Sequence, residues 1–411
     1  MDNTEKESVI GKGKFKNLRY CSKCLIPETH ETIAFDAEGV CNVCRQIEFK
    51  HTKIDWESKS KALDELIEQY RGKSDYDCIV PFSGGKDSTW TLYYLVKIKK
   101  LKCLVVQFNH GFMRPTLLEN NTRTFRSLGC DVLSFSTNWK IVQKLMLEAL
   151  KRKGDFCWHC HTGIFSYPMH IAVKYNVPLI FWGEPQAEYT SYYTYEDTLN
   201  EAEEVDETRF NRFVNLGITA DDMAGMIDVE DKRDLIPYSY PKLKDLMKIG
   251  YRSVCLGSYI PWDVKKQVGI IQEKLGWKGE KVEGVPAEYN YEKIECGMQG
   301  IRDYLKFIKR GYSRVSHLTS IDIRNGRLTR EEGEKLIERY EGKKPASLPV
   351  FLDYVGINEE EFYKFALQNQ VDPFDLNEED IKALGEGEEL WDQKLWYKEP
   401  CKDCSGNGCG S

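Results

Sequence analysis

Apolar residues fall into two kinds of pattern along this chain. Short unbroken runs, DCIVPF (77–82), CLVVQF (103–108), DVLSF (131–135) and PLIFW (178–182), have the length and side-chain types of buried strands. Between them the apolar positions recur at helical spacing: Leu63, Leu66 and Ile67 within 57–71, then Trp90, Leu92, Leu95 and Val96, then segments near 115–128, 139–152 and 163–175. This alternation predicts βαβ units and a doubly wound, mainly parallel α/β sheet, with SVCLGSYIPWD (253–263) supplying a last strand. In such sheets ligands sit beyond the carboxyl ends of the strands. Residues at about 186–247 break the rhythm, with an aromatic, polar stretch (EYTSYYTYED) and an acidic one, and read as an insertion that covers or shapes a site. Residues 264–275 and 290–310 read as helices. LTREEGEKLIERYEG (328–342) opens on Thr329 with Glu332 three residues on, a capping box. The predicted division is 1–55, a lead-in with a cysteine-rich segment; 56–275, the α/β domain; and 276–411, a helical region with a cysteine-rich tail.

Charge narrows the class. The 411 residues hold 58 Lys+Arg against 65 Asp+Glu, a net charge of −7, which argues against a protein built to coat nucleic acid. No apolar run approaches the ~20 residues of a membrane span, and the opening MDNTEKESVIGKGK has no apolar signal core, so the expected location is the cytoplasm. The fourteen cysteines then need a reason other than disulfides. Cys21-x2-Cys24-x16-Cys41-x2-Cys44 has zinc-ribbon spacing, and a segment so poor in apolar anchors needs a Zn²⁺ staple to fold. Cys78 and Cys103 lie within strand-like runs and read as small buried hydrophobes. Cys157-x2-Cys160 precedes His161. Cys401, Cys404 and Cys409 crowd the tail, as three ligands or as unstructured chain.

Ser83-Gly84-Gly85-Lys86-Asp87-Ser88 lies between the first strand and the next helix. Glycines there let backbone N–H groups turn inward, a helix N-terminus adds its positive dipole end, and the two serines add hydroxyl donors. The arrangement fits a pyrophosphate. It is too short for a Walker A loop. Asp87 beside a phosphate nest implies Mg²⁺ between them.

In this context SGGKDS resembles the PP-loop of ATP pyrophosphatases, which split ATP between the α and β phosphates and adenylate a carbonyl-type oxygen. With RYCSKCLIPETHETIAFDAEGVCNVC, WGEPQAEY, LIPYSYPKLKDL, LGSYIPWD and IRNGRLTREEG, the chain over roughly 19–370 resembles the N-acetyl sugar amidotransferase family of O-antigen and flagellin-glycan biosynthesis. That resemblance implies conversion of an acetamido group on a sugar, nucleotide-linked or free, into an acetamidino group. It also implies ammonia from a glutaminase and a channel subunit resembling those of imidazole glycerol phosphate synthase. The tail PCKDCSGNGCGS departs from the pattern.

On this reading Ser83, Gly84, Gly85, Lys86, Asp87 and Ser88 hold ATP and Mg²⁺, with Lys86, Asp87 and Glu184 as the catalytic set. Asn109 and Gly111, past the second strand, meet the adenosine, and Gly183 and Glu184, past the fourth, meet ribose or substrate. Asn109 as a turn residue and Glu184 as a surface carboxylate are the alternatives. Arg114 is placed for an anion on the substrate. Tyr189 and Tyr192, with Tyr193 and Tyr195, are placed either for stacking on a sugar or as an aromatic packing strip. A rival reading starts from Cys157, Cys160 and Cys255, the last following after 94 intervening residues. Their spacing resembles the [4Fe–4S] cysteines of PP-loop tRNA thiolation enzymes, against a reading as packing thiols.

Overall fold

Side chains along the strands point alternately to two sides of one sheet. The computed structural model describes residues 18–185, 187, 210, 214–215, 217–229 and 231–387. Tyr189, Tyr192, Tyr193 and Tyr195, and Cys401, Cys404 and Cys409, lie outside them. The strands are β1 (Cys78–Pro81), β2 (Cys103–Asn109), β3 (Asp131–Ser136), β4 (Leu179–Trp182) and β5 (Arg252–Cys255). They run parallel in the order β3-β2-β1-β4-β5. The chain winds outward from β1 to β3, returns to β4 and continues to β5, so the order reverses between β1 and β4. A crevice opens at such a reversal, beyond the strands' carboxyl ends.

On one face Cys78, Val80, Cys103, Val105, Phe181 and Val254 join one apolar core; on the other Ile79, Leu104, Val106 and Ile180 join a second. Cys78 and Cys103 are register partners with sulfurs 3.5 Å apart, and both are buried, as small hydrophobes should be.

Helices α1 (Asn42–Thr52) and α2 (Trp56–Tyr70) precede the sheet. Within it follow α3 (Lys86–Tyr93), α4 (Pro115–Leu128), α5 (Trp139–Lys153) and α6 (Trp158–Tyr175). Then come α7 (Ala220–Met226), α8 (Leu243–Ile249) and α9 (Val264–Leu275). Leu92 of α3 and Ile271 of α9 cover the first face; Met169 and Ala172 of α6 and Leu246 of α8 cover the second. The C-terminal region is helical: α10 (Gln299–Arg310), α11 (Arg314–Arg324), α12 (Arg330–Tyr340), α13 (Leu348–Val355), α14 (Glu359–Leu367) and α15 (Glu378–Ala383). It packs on the sheet domain through α5, whose Val142, Met146 and Leu150 share a core with Ile301, Leu305, Phe351 and Phe362. Thr329 and Glu332 make the expected capping box. Among the described residues no helix is long and apolar enough to cross a membrane.

Two boundaries differ from the sequence reading, and both matter for the site. Helix α6 starts at Trp158, five residues early, which puts Cys160 and His161 in its first turn. The helix expected over 290–310 starts only at Gln299, because Lys293 adopts a left-handed backbone (φ 52°) that a helix cannot contain. Residues 290–298 are therefore a loop.

Helix α6 approaches β2 closely at Gly163, where a Cβ would run into the Phe108 ring. Gly163→Ala should lower unfolding free energy by about 1–3 kcal/mol, overpacking outweighing alanine's helix preference of about 1 kcal/mol. Urea denaturation checks this, and a stabilised variant would contradict it.

Candidate active site

The turn after β1 is built as a cradle. Gly84 takes a left-handed conformation (φ 89°) and Gly85 caps α3 with extended backbone. The hydroxyls of Ser83 and Ser88 lie 3.3 Å apart; Ser88 Oγ accepts the Gly84 N–H at 3.1 Å and Ser83 Oγ the Gly85 N–H at 3.3 Å. Trp277 Nε1 donates to the Gly84 carbonyl at 3.1 Å, tying the turn to the segment after α9. Gly84 is required by its backbone, and a Cβ there would strike the Asn121 amide; a Cβ at Gly85 would displace the Glu295 carboxylate.

Lys86 and Asp87 open α3 and are held among carboxylates. Lys86 is 4% exposed, with Nζ 2.6 Å from Asp87, 2.9 Å from Glu292 and 3.9 Å from Glu184. Asp87 Oδ1 is buried without a hydrogen-bond partner. Burial, then the Glu184 charge, pushes the Asp87 carboxyl up to about 7, against the pull of Lys86. A lone buried carboxylate oxygen facing a second carboxylate is what a divalent cation would relieve, so the donor set fits Mg²⁺, held by Asp87 with Glu184 beside it.

Ser83, Asp87, Ser88, Glu184, Glu292 and Glu295 line one cavity of about 550 Å³. Gly183 also lines it, as do Arg302, Arg314 and His317 from the C-terminal helices. The expected sheet-edge residues thus meet at the reversal point, and Gly183 is tight, since a Cβ there would lie 2.9 Å from Thr91 Oγ1.

Other expected positions take different roles. Asn109 Oδ1 accepts the Gly111 N–H at 2.9 Å and its amide donates to Ser136 at 3.3 Å. Gly111 (φ 97°) would collide with Trp139 if it bore a Cβ, at 2.6 Å. The Asn109 side chain and the Gly111 backbone build the turn; the residue of that turn lining the cavity is His110. Arg114 is held within the protein. It is 2% exposed, and its guanidinium donates to the Cys296 carbonyl at 3.2 Å, the Lys281 carbonyl at 3.2 Å and Glu280 at 3.3 Å. It pins the 290–298 loop through the Cys296 carbonyl. Cys255 ends β5 opposite Trp182, and the third thiol lining the cavity with Cys157 and Cys160 is Cys296. Glu292, Glu295 and Cys296 all come from the loop that reads as helix in the sequence. Their signal was the Cys296-Gly297 break after a run of charges.

The four N-terminal cysteines form a separate centre. All are buried, and their sulfurs lie within 4.8 Å of one another. Cys21 Sγ accepts the N–H groups of Lys23 and Cys24 at 3.4 Å and of Cys41 at 3.2 Å; Cys41 Sγ accepts that of Cys44 at 3.4 Å. Mutual hydrogen bonding drives Cys21 far below the usual thiol range and Cys41 and Cys44 far above it. Four soft donors in this shell fit Zn²⁺ in a closed, structural site.

The fold is a parallel α/β sheet with a glycine-serine turn at its reversal point, packed against a helical C-terminal region. Residues 283–385, which include α10–α15, match the family described as LPS biosynthesis protein WbpG-like, C-terminal domain. The uncharacterized protein MJ1599 of Methanocaldococcus jannaschii is 26% identical over 142 residues, 34% of this chain. The match spans half the length of that relative.

Proposed function

We propose that this chain is an ATP-dependent sugar amidotransferase of lipopolysaccharide-type glycan biosynthesis, turning an acetamido sugar into an acetamidino sugar. The observation that carries the reading is the single cavity joining the Ser83–Ser88 cradle to Arg302, Arg314 and His317. The match of residues 283–385 to a lipopolysaccharide-biosynthesis domain supports it.

In the reaction the amide oxygen attacks the α-phosphorus of ATP, forming a P–O bond and releasing pyrophosphate. Ammonia then adds to the activated carbon, the C–O bond breaks, and AMP leaves with that oxygen. A proton is released and the amidine remains. The residues mainly position and stabilise charge. The α3 N-terminus and the Ser83 and Ser88 hydroxyls would meet the phosphates, Lys86 supplies a fixed positive charge, and Asp87 with Glu184 would hold Mg²⁺. When bound, Mg²⁺ neutralises the charge growing on pyrophosphate. Arg302 and Arg314 offer positive charge to the substrate end.

Purified chain incubated with ATP, Mg²⁺, ammonium and a panel of acetamido sugars should release AMP and pyrophosphate. It should also yield a product in which NH replaces one oxygen, read by mass spectrometry. Ammonium should support turnover where glutamine alone does not, the ammonia coming otherwise from a glutaminase and channel partner. ATP cleavage to ADP, turnover on glutamine by the isolated chain, or transfer of sulfur to tRNA would each displace this reading.

A further inference from the structure

The cradle after β1 is surrounded by more negative charge than the proposed reaction uses. Asp87, Glu184, Glu292 and Glu295 all line the cavity. Lys86 stands among the first three, with Nζ 2.6 Å from Asp87, 2.9 Å from Glu292 and 3.9 Å from Glu184. No three of the four carboxylates come within 4.8 Å of one another. One Mg²⁺ at Asp87 and Glu184 therefore does not also take up Glu292 and Glu295.

Both surplus carboxylates come from the 290–298 loop, and each occupies a group that phosphate needs. Glu292 is 5% exposed and pairs with Lys86. Glu295 packs on the cradle itself. A Cβ on Gly85, the N-cap of α3, would run into Glu295 Oε1, so that oxygen rests on the Gly85 backbone. Glu295 Oε2 is buried with no hydrogen-bond partner. Negative charge beside a helix's first turn is what the helix dipole favours. Glu295 thus stands where the start of α3 would receive a phosphate oxygen, and Glu292 holds the lysine that would meet another.

The backbone of this loop is anchored. Ile294, between the two glutamates, is fully buried in the core on the first face of the sheet. The Glu292 N–H donates to the Tyr289 carbonyl at 2.9 Å, and the Gly297 N–H to the Phe112 carbonyl at 2.8 Å. The Cys296 carbonyl accepts from Arg114 at 3.2 Å. Lys293, in its left-handed conformation, is the loop's own cation and lines the same cavity. What can yield is the ends of the glutamate side chains, by rotation about bonds beyond a fixed main chain.

We infer that Glu292 and Glu295 are internal stand-ins for phosphate. They give up Lys86 and the cradle to the phosphates of ATP, and retake both to expel pyrophosphate once it has formed. Like charges forced together are costly. Pyrophosphate therefore weakens the contacts that hold these carboxylates, and the carboxylates weaken pyrophosphate by the same factor. The inference rests on the nucleotide reading of the cradle and deepens it, and it does not depend on which sugar is the substrate.

Titration of inorganic pyrophosphate with Mg²⁺ into the full chain, followed by calorimetry, tests this. Glu295→Gln and Glu292→Gln should each bind pyrophosphate about ten-fold tighter than the parent, because each loses a like charge and keeps its shape. Damage to the fold would weaken binding instead. Glu288→Gln removes an exposed carboxylate from the same segment and should bind as the parent does. During turnover, pyrophosphate should inhibit Glu295→Gln at about ten-fold lower concentration than the parent, as slower product release requires. Unchanged or weaker binding by both cavity variants, with the parent binding, overturns the inference and leaves the nucleotide reading standing. Equal tightening in Glu288→Gln does the same. No binding by any of these chains removes the nucleotide reading, and the inference with it.

Discussion

Asp87→Asn should lower AMP and pyrophosphate release by on the order of 10³-fold while leaving the protein folded. The size of the effect follows from where the carboxylate sits. Asp87 is in the first turn of α3, with Oδ2 2.6 Å from Lys86 Nζ and Oδ1 buried without a partner. Burial and Glu184 raise its carboxyl to about 7 when no cation is present. A carboxyl raised in the folded state holds its proton more tightly there than in the unfolded chain. Stability from that proton is full below the ordinary carboxylate range and falls as pH rises toward about 7. The amide in the Asp87→Asn variant carries no charge, so at pH 8 the ligand-free variant should be no less stable than the parent, even as activity disappears. A proton also competes with Mg²⁺ for this oxygen. Activity should therefore fall as pH drops below about 7, and raising Mg²⁺ should shift that fall to lower pH. Titrating the rate against pH at two Mg²⁺ concentrations checks this. Near-normal AMP release by the variant would remove Asp87 from the reaction, and a midpoint indifferent to Mg²⁺ would remove the cation from its side chain.

The parts of this molecule set by local pattern were legible in the sequence; those set by long-range approach were not. Strand runs such as CLVVQF are apolar throughout because both faces of a parallel sheet are covered, and they fall where β2 and its neighbours lie. The Ser83–Ser88 turn is recognisable because its glycines answer a local backbone demand, φ 89° at Gly84. The four cysteines are recognisable because their pairs are knuckle-spaced. The loop carrying Glu292, Glu295 and Cys296 was hidden. Its apolar residues Ile294 and Met298, four apart and both buried, imitate a helix face, while the left-handed turn at Lys293 is not announced by its residue type. Arg114 and Asn109 show the same limit from the other side. Each lies next to a strand's carboxyl end, where ligands bind, but the carbonyls and carboxylate that consume the Arg114 donors come from residues 280–296. No spacing within 109–114 reveals that.

Removing the metal from the N-terminal centre should reach the cavity through the C-terminal helices. The small core of residues 18–50 contains Cys21, Cys24, Cys41 and Cys44 beside Ile26, Val40 and Val43, with half-buried Ile33 and Phe35 against them, so without an ion four of its seven buried members are thiols. That segment is fastened to the helical region at several points. Arg330 Nη1 donates to the Cys21 carbonyl at 2.8 Å and the Cys24 carbonyl at 2.6 Å; the Leu25 N–H donates to Ser320 Oγ at 3.1 Å; Tyr312 donates to Glu31 at 2.7 Å. Arg324 on α11 is buried, with Nη1 3.7 Å from Cys24 Sγ. Loss of the thiolates leaves this guanidinium buried without its counter-charge, at a cost of about 3–5 kcal/mol. Helices α10 and α11 also carry Arg302, Arg314 and His317 into the cavity. Cys21→Ser/Cys24→Ser should therefore lose one zinc per chain and open residues 18–50 to proteolysis. Amide-exchange protection should fall along α11 and α12, and nucleotide-dependent turnover should weaken, while β1, β2 and β4 stay protected behind their own two cores. Metal analysis and hydrogen exchange on the same sample test both effects. Unchanged zinc would place the ligands elsewhere. Lost zinc with α11 protection intact would show that the knuckle folds without supporting the cavity.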